Sequence, residues 1–230
     1  MGKKEVQFNI TEQVLAFGVR GAFAVARGLE NRSYHADFER YRDELAGRLK
    51  AQLGPSTLTE DPVLKGFRLL HDAVGRSNKR FPSSAQALVG LFLRRGIIPA
   101  INPIVDVYNA VSLETMLSLG AHDLAKIEGD VTLRLTEGGE YFLPMGATAP
   151  EKVGAGEYCY MDQSGEVLCR LEFRQAEKTK VTEATRDCFF LIQGNPNTSR
   201  AQVENALGRL IELTEKFCGG KFEHAWLVGD

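Results

Sequence analysis

No long apolar run interrupts this 230-residue chain, so no membrane-spanning helix is expected; such a span needs about 20 apolar residues in succession. None of its four cysteines, Cys159, Cys169, Cys188 and Cys218, stands in a C-x-x-C pair, which excludes the usual zinc ribbon and redox pair. The four histidines are scattered, and H-E-x-x-H, G-x-S-x-G, Walker and G-x-G-x-x-G patterns are all missing, so no metal or other cofactor is expected. Neither sign of charge is in excess: the net charge is -2. That removes the simplest argument for non-specific nucleic-acid binding. Only three short basic clusters are left as candidates: Lys3-Lys4, Asn78-Lys79-Arg80 and Leu93-Arg94-Arg95. No apolar stretch follows Met1, and Val6 stands where a myristoylation signal carries Ser or Thr. A cytoplasmic location with reduced thiols is therefore expected. Cys188 reads as a buried small side chain, and Cys159 and Cys169 as facing each other across a hairpin.

What is present is ordinary globular material, with 43% hydrophobic residues, enough for one sizeable core. Residues 5–28 read as strands with a bend at Gly18 and Gly21. Phe38, Tyr41, Leu45 and Leu49 recur at spacings of three and four and predict a helix over 34–53. Asp61 as N-cap and Pro62 in the first turn predict a second helix over 60–75, with His71 beside its inner face as a structural histidine. A third helix starts at Ser83 or Ser84 and stops at Gly96. The pattern then turns to β: DVTLRL, EYFLPMG, a hairpin around Asp162–Gly165, and the buried run DCFFLIQ at 187–193. A capped amphipathic helix over 199–217, closed by Gly219-Gly220, is the last element. The sum is an α+β chain, a single domain over 1–230 with helices packed on a mostly antiparallel sheet.

One segment is unusual. NPIVDVYNAVSLETMLSLGAHDLAKIEGD, residues 102–130, carries Asp106, Tyr108, Asn109, Glu114, His122 and Asp123 among apolar residues. Together with GIIPA before it and EKTKVTEATRDCFFL downstream, it resembles the editing domain of the phenylalanyl-tRNA synthetase β chain. The similarity covers roughly residues 85–195. The family's motifs run G-x-R-P-x-N-N-x-V-D-x-x-N-Y, then G-Q-P-x-H-A-F-D, then I-x-G-x-I-x-V-R, then G-G-E-x-S-G-V. The N-terminal third is similar to free-standing members of that family. The resemblance implies an α+β editing fold and a metal-independent aminoacyl-tRNA deacylase acting in trans. One such group acts on canavanyl-tRNA(Arg). The implied partner is aminoacyl-tRNA.

Carried over residue by residue, the resemblance implies a catalytic pair of Asn109 and Glu177. Asn109 matches the pocket asparagine, whose carboxamide can donate and accept. Glu177 matches the glutamate of G-G-E, with Gln175 and Ala176 in place of the glycines. Tyr108 falls on a pocket position usually held by a small hydroxyl residue. The family histidine aligns with Gly120, whereas His122 falls where the family has Phe; a two-residue backbone shift would be needed for His122 to replace it. Gly120, Ala121, His122, Glu172 and Arg174 complete the expected substrate contacts, with backbone N–H groups around Gly120-Ala121 receiving an oxyanion. A cationic substrate side chain would pair with Glu172, Asp123 or Glu114. On an extended strand Glu172 and Arg174 share a face, which favours an ion pair between them. Asp106 reads as a cap on backbone N–H groups, and Thr179, Thr182 and Thr185 as turn and strand residues. Two other readings stay open: a non-catalytic module that binds an amino acid or RNA, and a hydrolase of free amino-acid esters.

Overall fold

The computed structural model describes residues 5–229, so Lys3-Lys4 lies outside the described residues. The first stretch forms β1 (Phe8–Ile10), the one-turn helix α1 (Glu12–Leu15) and β2 (Gly21–Arg27). Strands alone were expected here, and α1 corrects that. Glu12-Gln-Val-Leu contains good helix formers and turns Val14 into the core. Gly18, at φ 80, then reverses the chain without a Cβ penalty.

Three helices follow in the places the periodicity marks, α2 (Ala36–Gln52), α4 (Pro62–Ala73) and α5 (Ser84–Arg95), and an unexpected single turn, α3 (Thr57–Glu60), precedes α4. The caps are those read from sequence. The Asp61 side chain accepts from Leu64 N at 2.9 Å, Ser83 Oγ accepts from Gln86 N at 3.2 Å, and Gly96 ends α5 at φ 65. The polar-studded segment folds as α6 (Pro103–Thr115) and β3 (Ser118–Asp123). Asn102, not Asp106, caps α6. Asp106 is fully buried and accepts instead from Ile101 N at 2.9 Å and Tyr34 Oη at 2.7 Å, so it anchors the entry loop rather than the helix end.

The rest is β4 (Val131–Leu135), β5 (Tyr141–Phe142), β6 (Glu151–Lys152), β7 (Tyr158–Asp162), β8 (Val167–Arg170), β9 (Arg174–Gln175), β10 (Cys188–Gln193), α7 (Arg200–Cys218) and β11 (Lys221–Val228). The terminal strand β11 extends the chain beyond the expected last helix. It forms because Gly219 and Gly220, both at positive φ, turn the chain back alongside β2.

Two main sheets result. One has the order β1-β4-β7-β8-β9, antiparallel except for β1 on β4; the other is antiparallel, in the order β11-β2-β10-β3. Helices α6 and α7 pack together and onto the second sheet. Phe8 from the first sheet stacks on Phe23 from the second at 3.6 Å between ring centroids, with Tyr160 5.9 Å from Phe23. This aromatic cluster joins the sheets within one contiguous core, an α+β domain. No helix among the described residues is long and apolar enough to cross a membrane.

The hairpin register decides the cysteines. Cys159 lies opposite Arg170 and Cys169 opposite Tyr160, so the expected face-to-face pair does not form. Cys159 belongs to a small satellite core with Phe142 and Met161, whereas Cys169 joins the main one. All four cysteines are free and buried, and burial pushes the Cys159 thiol up to about 12.

Candidate active site

A cavity of about 190 Å³ opens where α6, β3, the β8–β9 turn and the end of β10 meet. Its lining includes six of the eight residues expected to form the site: Tyr108, Asn109, Gly120, His122, Glu172 and Arg174. Ala121 and Glu177 are not part of it. Their positions follow from strand geometry. On β3, residues two apart share a face, so Ser118, Gly120 and His122 all reach the cavity. Ala121 points the other way and is fully buried.

The same alternation explains His122. The sequence suggested that it could stand in for a histidine aligned with Gly120 only if the backbone shifted by two residues. A step of two on a strand keeps the side chain on one face but moves it about 7 Å along, so His122 reaches the same cavity wall at a displaced point. The ring is buried, and burial pulls its pKa from 6.5 down to about 3, so it is neutral at physiological pH. Its ring is held by its neighbours. Gln175 Nε2 faces Ala121 O at 2.7 Å and Thr179 O at 3.2 Å, two acceptors that identify it as the NH₂ end. That NH₂ lies 3.1 Å from His122 Nδ1, and Thr179 Oγ1 lies 2.7 Å from the same nitrogen. Both contacts are made at Nδ1, so Nε2 is the ring nitrogen left for a cavity occupant. Thr179 is thus more than a turn residue, since it holds the ring in place.

The backbone donors behave differently. Ala121 O and Asp123 N face Gln175 and Thr179 on the outer side of β3, so the Gly120 N–H is directed into the β10 ladder. Gly120 contributes an open surface in place of an N–H: a Cβ there would meet nothing within 4 Å.

The floor of the cavity is a buried polar cage. Glu172 Oε2 accepts from Tyr158 Oη at 2.6 Å and Gln193 Nε2 at 3.0 Å, and Oε1 lies 2.6 Å from His71 Nε2. Tyr160 Oη donates to Gln193 Oε1. Burial alone would lower the pKa of His71, but the adjacent Glu172 carboxylate outweighs it and the net shift is upward. His71 is therefore a structural histidine, but one that faces a site carboxylate. Leu171, at φ 51, makes this geometry possible. A left-handed turn costs a non-glycine residue about 1–2 kcal/mol and breaks the strand alternation between β8 and β9. Glu172 turns inward while Arg174 stays exposed. The expected Glu172–Arg174 ion pair consequently does not form; the Arg174 guanidinium lies 5.3 Å from the Phe173 ring centroid instead.

Of the other acidic candidates for a cationic side chain, Glu114 is tied to Arg209 at 3.0 Å and Arg48 at 3.3 Å, and Asp123 accepts from Ala125 N and Thr185 Oγ1. Glu172 is the one that lines the cavity. Asn109 is half-buried on α6, and its carboxamide has no hydrogen-bond partner among the described residues. Tyr108 beside it has a phenol pushed upward by desolvation. Glu177 sits just outside: its Oε2 accepts from Gly146 N at 3.0 Å, Lys180 pairs with Oε1, and both hold its pKa below the usual carboxylate range. It thereby holds the turn carrying Met145, a lining residue whose N–H donates to Gln175 O at 2.8 Å.

Sequence reasoning did not select Tyr158, Tyr160, Gln175 or Gln193. One signal was available, since Gln193 is a polar residue ending an otherwise apolar strand.

A model of the B3/4 domain matches residues 70–219, a span that holds every cavity residue described above. The chain belongs to the B3/4 domain family. This B3/4 chain is 50% identical over 152 residues to the phenylalanine–tRNA ligase beta subunit of Vibrio parahaemolyticus, covering 56% of the chain and 19% of that protein. It is 48% identical over 48 residues to the corresponding subunit of Legionella pneumophila, covering 21% and 6%. The chain thus spans a fifth or less of the curated relatives it matches. An N-terminal fragment of the phenylalanyl-tRNA synthetase beta-subunit from Pyrococcus horikoshii shares the fold, with a TM-score of 0.50 and 15% identity over 100% of this B3/4 chain and 57% of that one.

Proposed function

We propose that this B3/4 chain hydrolyses the ester that joins an amino acid to tRNA, acting in trans on a mischarged species. The observation that carries the reading is the cavity wall. It sets a neutral His122, held at Nδ1 with Nε2 left open, beside the unpartnered carboxamide of Asn109, above the caged carboxylate of Glu172. An ester is already activated, so positioning a water and stabilising the oxyanion suffice. Water oxygen adds to the carbonyl carbon, the oxyanion is received by His122 Nε2–H, and the carbon–oxygen bond to the ribose breaks. The proton given up by the adding water passes to the leaving ribose oxygen, and the products are free amino acid and tRNA. Asn109 orients the water or the substrate ammonium. Glu177 supports the rim by holding the turn that carries Met145.

About 190 Å³ is below the roughly 300–1,000 Å³ of sites for drug-sized ligands. It suits one aminoacyl group and leaves the nucleotide outside. Glu172 favours a side chain that carries a hydrogen-bond donor, of which canavanine is an example. The test is deacylation of a panel of phenylalanyl, tyrosyl, arginyl and canavanyl tRNAs by the purified protein. Rapid loss of one mischarged species with its correct counterpart spared is expected. Lack of turnover across the panel overturns the reading.

A specific observation favours a second reading, that of a binding module. Glu172 is engaged by Tyr158, Gln193 and His71, so the one carboxylate lining the cavity is not a free general base. Tight ligand binding without turnover is its expected signature.

A further inference from the structure

The chain as a whole is near neutral, yet the cavity mouth carries a local basic row. Arg174 lies on Phe173, which meets Phe81 edge-to-face at 5.4 Å, and Arg80 lies 5.2 Å from the centroid of Phe81. Both arginines are exposed, and neither has a carboxylate partner among the described residues. The third cation on this pair, Arg170, is 4.7 Å from the Phe81 centroid but is committed to Glu157 at 2.5 and 2.8 Å. Arg76 also binds Glu157, at 2.7 Å, and so ties the loop that presents Arg80 to the β7–β8 hairpin. Folding therefore brings Arg80, through Phe81, beside Phe173 and Arg174, two lining residues of the cavity that lie far downstream in the chain.

Exposed arginines without carboxylate partners, each placed over an aromatic ring, match a phosphodiester chain. The guanidinium supplies a fork for phosphate oxygens, and ring packing reduces the freedom lost on binding. We propose that the Arg80–Phe81–Phe173–Arg174 row is the track for the single-stranded 3′ end of an RNA whose terminal group enters the cavity. This extends the deacylase reading by rejecting small free esters as the natural substrate. It rests on that reading only for what the terminal group is; RNA binding is measured without turnover, so the two can fail separately.

The experiment is fluorescence anisotropy with a 5′-labelled RNA hairpin bearing a short single-stranded 3′ tail, and the same hairpin blunt-ended, across a salt series. Tighter binding of the tailed probe is expected. Arg80→Ala and Arg174→Ala should each weaken it about fivefold at low salt, and each should reduce the slope of log affinity against log salt by about 0.7. Lys50→Ala on α2, an exposed charge away from the mouth, should change neither. Three results overturn the proposal: no salt-dependent binding by the wild type, equal affinity for the blunt probe, or losses at Lys50 that match those at the arginines. Thermal melting of each variant confirms that it is folded.

Discussion

Two buried histidines flank one cavity, and the protein treats them in opposite ways. His71 and His122 are both almost fully buried, at 0% and 1% exposure. His122 meets an amide and a hydroxyl, neither of which compensates a positive charge, so burial drives it neutral. His71 meets the Glu172 carboxylate, whose charge outweighs the same burial penalty. The lesson is that burial does not assign a role to a histidine; the nearest group does. One imidazole is held neutral on the cavity wall, and the other sits as a counter-charge beneath the floor.

The strongest way to break this contrast is Glu172→Ala. It leaves Tyr158 and Gln193 with no acceptor and His71 with no counter-charge, and losing one partner of a buried pair costs about 3–5 kcal/mol. Urea denaturation should show a loss of that size. A loss within experimental error would show that the cage is not a stability element.

Acid titration sharpens the comparison. His122 is depressed, so between about 6.5 and about 3 the unfolded chain binds a proton that the folded chain refuses. Its contribution is fully present above pH 6.5 and is lost as pH falls from there. His71 is raised, so its contribution is present below 6.5 and is lost as pH rises through its folded value. His122→Asn should flatten the acid limb of the stability curve and leave the alkaline limb unchanged. An unchanged acid limb would refute the assignment of a neutral, buried His122.

Asn109→Ala tests the wall without disturbing the cage. Deacylation should drop at least about tenfold, a loss of about 1.4 kcal/mol of transition-state stabilisation, while the melting temperature holds. The smallest effect belongs to Glu177→Ala, which acts at the rim through Gly146. About a threefold loss is expected, the size of one ordinary hydrogen bond, and it should appear in KM before kcat. A loss at Glu177 larger than at Asn109 would move the chemistry out of the cavity to the rim.

The elements were largely legible because their signals are local. Asp61, Ser83 and Ser199 cap the helices they precede, and Gly96 ends one, since cap geometry depends on only a few neighbouring residues. The short α1 and α3 and the terminal β11 escaped. The two helices are too short for a periodic pattern, and the strand owes its existence to pairing with β2, nearly two hundred residues earlier. Within the site, motif order pointed to Asn109, Tyr108 and Glu177, and Glu172 stood with Asp123 and Glu114 as an acidic candidate for a cationic side chain. Glu177 went to the rim because β9 is only two residues long and the chain beyond it turns away.

The sequence by itself determined the helices, the hairpin, the α+β class and the polar segment that supplies the cavity wall, because these depend on spacing and on residues near in the chain. Only the tertiary structure decided which polar groups meet. It joined His71 to Glu172, turned Glu172 away from Arg174, placed Gln175 and Thr179 on His122, and brought Arg80, through Phe81, beside Phe173 and Arg174. Each of these contacts joins distant segments or hinges on one left-handed residue, and no periodicity in the chain records either.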